Sequence, residues 1–284
     1  MYPTSFSYHR PATVQEAVQL LGADPDAKVL AGGHSLIPAM KLRLAAPGSL
    51  VDIGRIAELK AVELNGGATI GATATYNEIR DVPGLTAKYP ILGEAINVLG
   101  DPQVRVRGTM GGSLAHADPA ADLTAVFLAI GGEVTVVGPN GERHVPADEL
   151  FVNLWTCSIE PEELITSIKL APPPRNAAMV YEKHQHPASG YAVVGVAVVL
   201  GFGDDRTCES ARIAVTGATS IATRARVAEQ ALTGATLDEG AIARAADAVT
   251  EGLELNGDLY ASEEFRAHLL KVLTRRALTR AAGL

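Results

Sequence analysis

Two glycine pairs carry the chemistry most open to reading. Gly32–Gly33 lies in VLAGGHSLIP (29–38), and Gly111–Gly112 lies in GTMGGSLAHADPAAD (108–122). Consecutive small residues let successive backbone N–H groups converge into a concave nest that binds anions. Glycine also lets backbone approach a pyrophosphate with no Cβ in the way. Ser35, Thr109 and Ser113 add hydroxyl donors for phosphate oxygens. Asp122 is of the type that accepts ribose or ribityl hydroxyls in dinucleotide sites. Two such loops suit a diphosphate better than one. The plain alternative is two glycine turns and a well-capped helix, with Asp118 as the cap and Pro119 in the first turn. Neither G-x-G-x-x-G nor a Walker A pattern is present.

The elements that must hold these loops follow from periodicity. KVLAGG, SLVDIG and GGATIGATAT read as strands, and PILGEAINVLG has helical spacing, so the first half alternates as an α/β unit does. Thr13 with Glu16, Thr75 with Glu78, and Thr236 with Glu239 have capping-box spacing. GGEVTVVGPNGERHVPA reads as a hairpin turning on Asn140-Gly141 in type I′ geometry. Arg105 and Arg107 in QVRVRGT alternate like strand residues. Three prolines at 172–174 end a strand and mark a domain boundary. Beyond them, AAMVYEKHQ, SGYAVVGVAVVLGF and CESARIAVTGA read as a three-stranded antiparallel sheet. IATRARVAEQALTG, DEGAIARAADAVTEGLEL and SEEFRAHLLKVLTRRALTRAA then read as helices.

Composition narrows the function classes. The 284 residues carry a net charge of −8 with no Lys/Arg block, which disfavours nucleic acid and anionic membranes. No apolar run approaches a membrane span, and the N-terminus lacks a signal-peptide pattern, so a cytoplasmic location is the expectation. Two distant cysteines, Cys157 and Cys208, cannot ligate a cluster or a structural zinc. Redox chemistry would have to ride on an organic cofactor. His184 and His186 form H-x-H, which on a strand shares one side, but no third ligand is near. Ser113, His116 and Asp118 are too close in sequence for a triad. Trp155 and Cys157 read as core residues, and the basic stretch KVLTRRALTRAA as a solvated face or subunit contact.

AGGHSLIPAMKLRLAAPGSLVDI together with TMGGSLAHADPAAD resembles the FAD-binding medium subunit of the molybdenum hydroxylases, the family of carbon monoxide dehydrogenase and xanthine dehydrogenase. DPQVRVRGT, PEELITSIKL and YEKHQ extend the likeness over essentially the whole chain. The resemblance implies an α+β protein. A two-lobed α/β FAD-binding domain of the vanillyl-alcohol-oxidase-like (PCMH) type would span 1–175, with lobes of about 1–53 and 54–175. A C-terminal α+β domain would span 176–284, with a three-stranded antiparallel sheet and a helical bundle.

By the same resemblance, Ala31, Gly32, Gly33, His34, Ser35 and Leu36 line the FAD pyrophosphate. Thr109, Gly111, Gly112 and Ser113 form a second cradle, although the family often carries Asn where Ser113 stands. Asp122 takes cofactor hydroxyls, and Leu99 and Ile165 pack near FAD. Lys183 lies near the flavin and stabilises negative charge on its reduced form. Tyr191 lies beside the isoalloxazine ring, where it governs access of the acceptor. The implied activity is electron transfer from iron–sulfur clusters through FAD to an external acceptor. [2Fe-2S] clusters would sit in a small partner subunit and molybdopterin in a large one, with heterotrimers pairing as dimers. Two other readings stand beside it: a self-sufficient FAD-dependent oxidase or dehydrogenase with its own substrate, and an interaction module without flavin.

Overall fold

A computed structural model describes residues 2–284. The first lobe contains β1 (Ser7–His9), α1 (Val14–Ala23), β2 (Ala27–Leu30), α2 (Leu36–Lys41) and β3 (Ser49–Asp52). Its three strands are parallel in the order β1-β3-β2. α1 starts where the Thr13 hydroxyl accepts from Glu16 N, while the Glu16 carboxylate reaches back to Ala12 N. The helix places Val14, Ala17, Val18 and Leu21 in one apolar cluster with Val51 of β3 and Ile53 just beyond it. Gly22 lies exposed near its end, with open space where a Cβ would be. A Gly22→Ala variant is therefore expected to be about 0.5–1 kcal/mol more stable in urea unfolding, from backbone entropy alone.

The second lobe runs through β4 (Val62–Glu63), β5 (Ala68–Gly71), α3 (Tyr76–Asp81), α4 (Leu85–Lys88), α5 (Pro90–Val98), α6 (Pro102–Arg105), α7 (Met110–His116) and α8 (Asp122–Ile130). It continues with β6 (Gly132–Gly138), β7 (Gly141–Pro146), α9 (Ala147–Leu150), β8 (Phe151–Asn153), β9 (Thr156–Cys157) and β10 (Leu164–Leu170). A five-stranded sheet, β4-β5-β10-β6-β7, backs the helices. The third unit is β11 (Ala178–Gln185), β12 (Ala192–Phe202), β13 (Cys208–Thr216), β14 (Thr223–Arg224), α10 (Arg226–Leu232), α11 (Glu239–Ala248) and α12 (Glu263–Ala282). Its antiparallel sheet has the three long strands expected and a fourth of two residues, β14.

Period-2 alternation divides this last sheet cleanly. Val194, Val196, Val198 and Leu200 face α10–α12, whereas Ala197 and Val199 face the second lobe. Between the lobe and the sheet lies α8, all nine of whose residues are buried. From Ala125 onward it is apolar all round, as a helix enclosed on every side is. Arg280 of α12, on an exposed face, bridges Glu94 of α5 at 2.5 Å and Glu182 of β11 at 2.6 Å.

Several local expectations are corrected. The QVRVRGT segment is not a strand, because Asp101 caps α6 by accepting from Val104 N and Pro102 occupies its first turn. Asp118 and Pro119 do not start α8. The Asp118 carboxylate accepts from Ala120 N in a turn, and the helix begins at Asp122. Asp238, not Thr236, caps α11, which ends at Ala248. The β6–β7 turn centres on Pro139 and Asn140, with Gly138 paired to Gly141. Proline cannot take positive φ, so type I′ is excluded, and the left-handed residue is Gly141 at φ 101°. Trp155 is not in the core: it is 55% exposed at the tip between β8 and β9, with φ 56°. Cys157 is half-buried against α7.

Candidate cofactor-binding site

The first glycine loop joins β2 to α2 and lies against the segment leading to the second. Gly32 has no room for a side chain, since a Cβ there would overlap the carbonyl of Arg107. Gly33 has φ +78°, the left-handed region that L side chains avoid. The His34 imidazole Nε2 is 3.0 Å from the carbonyl of Gln103, which fastens the loop to α6. Among the described residues, the backbone N–H groups of Gly32, Gly33, His34 and Ser35 donate to no acceptor in the chain. Gly33 alone among these four has positive φ. Alternation of φ sign is what turns successive N–H groups toward one point. Ala31 leads into this nest, and Leu36 opens α2 beyond it.

The second loop is built differently. Met110 N donates to Ala74 O, Gly111 N to Ala72 O, Gly112 N to the Thr109 hydroxyl and Ser113 N to Thr109 O. All four donors are engaged within the chain, so the expected second cradle of backbone N–H groups is not formed by these glycines. Gly111 and Gly112 are glycines for packing. A Cβ on Gly111 would stand 2.6 Å from Ala72 O, and one on Gly112 would stand 2.7 Å from Thr109 Oγ1. What this loop keeps for a ligand is the half-buried backbone at Gly112 and the Ser113 hydroxyl, the latter beside the buried phenol of Tyr76.

Behind the loops, α8 presents Asp122, which is 4% exposed. The Tyr181 hydroxyl donates to its Oδ1 at 2.6 Å, and the Lys183 ammonium lies 2.9 Å from Oδ1 and 3.0 Å from Oδ2. Burial pushes the Asp122 carboxyl up from the ordinary carboxylate range, while the Lys183 charge and the two hydrogen bonds act to keep it ionised. Both Asp122 oxygens are thus engaged by donors of the chain, Oδ1 by Tyr181 and both by Lys183. Lys183 also donates to Val98 O at 3.1 Å and Gly190 O at 2.7 Å. Its three protons are spent on chain acceptors, so it reaches a ligand by its charge alone.

Tyr181 is the residue that sequence reasoning missed. It alternates like any core strand residue, and its phenol fits only because Gly195 on β12 leaves the space. Tyr191 stands at the end of the 186–191 turn, 45% exposed, on the side of Ser35. Burial and the charge of Asp118 raise its pKa, and Ser35 opposes them. Tyr191 also borders a cavity of about 300 Å³ with His186, Tyr260 and Arg266.

The remaining candidates fall into place around this cluster. Leu99 and Ile165 are both in the core, 9% and 4% exposed. Leu99 follows the carbonyl that Lys183 holds. Ile165 precedes Thr166, whose carbonyl binds Ala72 N beside Gly111. β11 ends at Gln185 with a register shift after His184, so H-x-H is not a strand pair. His184 meets Phe265 edge-on, and His186 Nδ1 accepts from Ala188 N and Ser189 N. His116 packs edge-on to Trp155, and Ser113, His116 and Asp118 each have separate partners.

Comparison with known proteins matches this arrangement over the full chain. Residues 4–173 match the model of the FAD binding domain in molybdopterin dehydrogenase, and residues 179–281 match that of the CO dehydrogenase flavoprotein C-terminal domain. The chain is 38% identical to the carbon monoxide dehydrogenase medium chain of Hydrogenophaga pseudoflava, covering 99% of this chain and 98% of the relative. It is 36% identical to the 6-hydroxypseudooxynicotine dehydrogenase complex subunit alpha of Paenarthrobacter nicotinovorans, covering 99% and 96%. Among solved structures, carbon monoxide dehydrogenase from Hydrogenophaga pseudoflava lacking the Mo-pyranopterin moiety superposes with a TM-score of 0.96 at 39% identity, covering 100% of this chain and 99% of the other.

Proposed function

Because the chain belongs to the family of FAD-binding medium subunits of molybdenum hydroxylases, we propose that the nest of Gly32, Gly33, His34 and Ser35 holds the pyrophosphate of FAD. The chain is an oxidoreductase subunit, and its role is electron transfer within a larger complex. The observation that carries the residue assignment is the set of four N–H groups without acceptors in the loop from Gly32 to Ser35. That is a cradle suited to a diphosphate and too polar for an apolar ligand.

Bound FAD supplies the redox chemistry; the chain supplies binding, orientation and charge. Loop 32–35 binds the phosphates, and Ser113 offers its hydroxyl from the facing loop. The Lys183–Asp122 pair closes the site at the base of α8, with Leu99 on its apolar wall. Tyr191 covers the open side. Partner subunits carry the iron–sulfur clusters and the molybdenum cofactor, in a dimer of heterotrimers in the cytoplasm. The relatives are named for carbon monoxide and for a nicotine derivative, so substrate choice belongs to the large subunit.

Titration of the cofactor-stripped complex with FAD, FMN and riboflavin tests the assignment. FAD is expected to bind at least roughly a hundredfold more tightly than riboflavin, since only FAD engages several charge-assisted N–H donors. Equal affinities would contradict it. Tyr191→Ala is expected to speed reoxidation of the reduced complex by oxygen while leaving FAD content close to one per chain. Unchanged oxidation kinetics would remove Tyr191 from the acceptor path.

A further inference from the structure

Lys183 is poised to act on the flavin site through other residues. Its ammonium is buried, with the side chain 3% exposed, and each of its protons has an acceptor on a different element. Val98 O is the last carbonyl of α5 and precedes Leu99. Asp122 begins α8. Gly190 O belongs to the residue before Tyr191. Three parts of the cofactor wall therefore meet on one nitrogen. Gly190 also takes φ +71° and packs beside Gly100 on the loop after α5.

Apart from the His186–Tyr260 ring contact and the bond from Ala192 N to Ala120 O, the rest of the 186–191 turn depends on short local bonds. Gly190 N donates to His186 O, His186 N to Tyr191 O, and Tyr191 N to the Ser189 hydroxyl. These bonds shape the turn, but none of them ties it to α5 or α8. Lys183 supplies that tie, and Tyr181 locks the far side by holding Asp122. We propose that Lys183 is a positioning residue: its ammonium clamps the Gly190 carbonyl against α5 and α8 and so sets where Tyr191 stands over the cofactor. This rests on the FAD assignment for Tyr191, but the clamp itself is a property of the chain alone.

Two readouts test it. In the FAD-free chain, Lys183→Met is expected to raise hydrogen–deuterium exchange of amides 186–192 by about tenfold or more, the loss of one charge-assisted bond. Exchange in α11, which shares no bond with Lys183, should stay as in the parent. In the purified complex, oxygen reoxidation of the reduced cofactor is measured for Lys183→Met, Tyr191→Ala and the double variant. Each single change is expected to speed it, and the double to match Tyr191→Ala alone, because Lys183 has no effect left to exert once the ring is gone. Multiplying effects, or unchanged exchange at 186–192, would overturn the clamp.

Lys183→Met leaves Asp122 as a buried charge without its cation. The same cycle is therefore run in an Asp122→Asn background, where both charges are absent and Tyr181 still has an acceptor. A complex that carries no FAD in its parent form would contradict the cofactor assignment while leaving the exchange result to judge the clamp.

Discussion

Replacing Asp122 by alanine is expected to cost the folded chain about 3–5 kcal/mol, the usual cost of removing one member of a buried ion pair. The Lys183 ammonium would remain enclosed with two carbonyls and no counter-charge, and the Tyr181 hydroxyl would lose its acceptor. The midpoint of urea unfolding measures this directly. Asp122→Asn combined with Lys183→Met should cost much less, since it leaves no unpaired charge. If the single alanine variant unfolds at the parent midpoint, the pair is not the buried junction of α5, α8 and the last sheet that the geometry indicates.

Gly32→Ala is the second large effect. Its Cβ would overlap a backbone carbonyl, which cannot rotate away as a flexible side chain can. The loop must move, and the four free N–H groups move with it. Overpacking of this kind costs about 1–3 kcal/mol of stability. The larger consequence is for binding: FAD affinity is expected to fall by roughly a hundredfold, from two or more charge-assisted bonds lost together. Gly22→Ala, made in the same lobe with no contact at its Cβ, should keep full FAD content. Absorbance at the flavin band after gel filtration separates the two variants. Retained FAD in Gly32→Ala would move the pyrophosphate away from this loop.

The first loop was legible because a paired glycine between a strand and a helix marks special backbone, here positive φ at Gly33 and a close approach to Arg107 at Gly32. The long elements were legible too. SGYAVVGVAVVLGF covers β12, and Ser262 caps α12 within two residues of the expected start. Misreadings arose where one local pattern fits two structures. Alternating Val and Arg mimics a strand until Asp101 and Pro102 start a helix. Asp118-Pro119 mimics a helix start until Asp118 turns back on Ala120. The polar junction lay beyond sequence reasoning for another reason. Asp122 and Tyr181 are 59 residues apart, and Gly195, which makes room for the phenol, sits on the adjacent strand. Nothing in one sequence marks such a set, although the glycine inside a valine run was a hint of close approach.

The central claim is that this chain carries FAD as the electron-transfer subunit of a molybdenum hydroxylase. Native mass spectrometry of the chain, gently purified from its own cells, tests it most directly. The account expects one assembly containing two further polypeptides, with one FAD per copy of this chain and with iron–sulfur and molybdopterin masses on the partners. A chain found alone with one FAD, turning over a small molecule by itself, would contradict the subunit role and make it a self-sufficient flavoprotein.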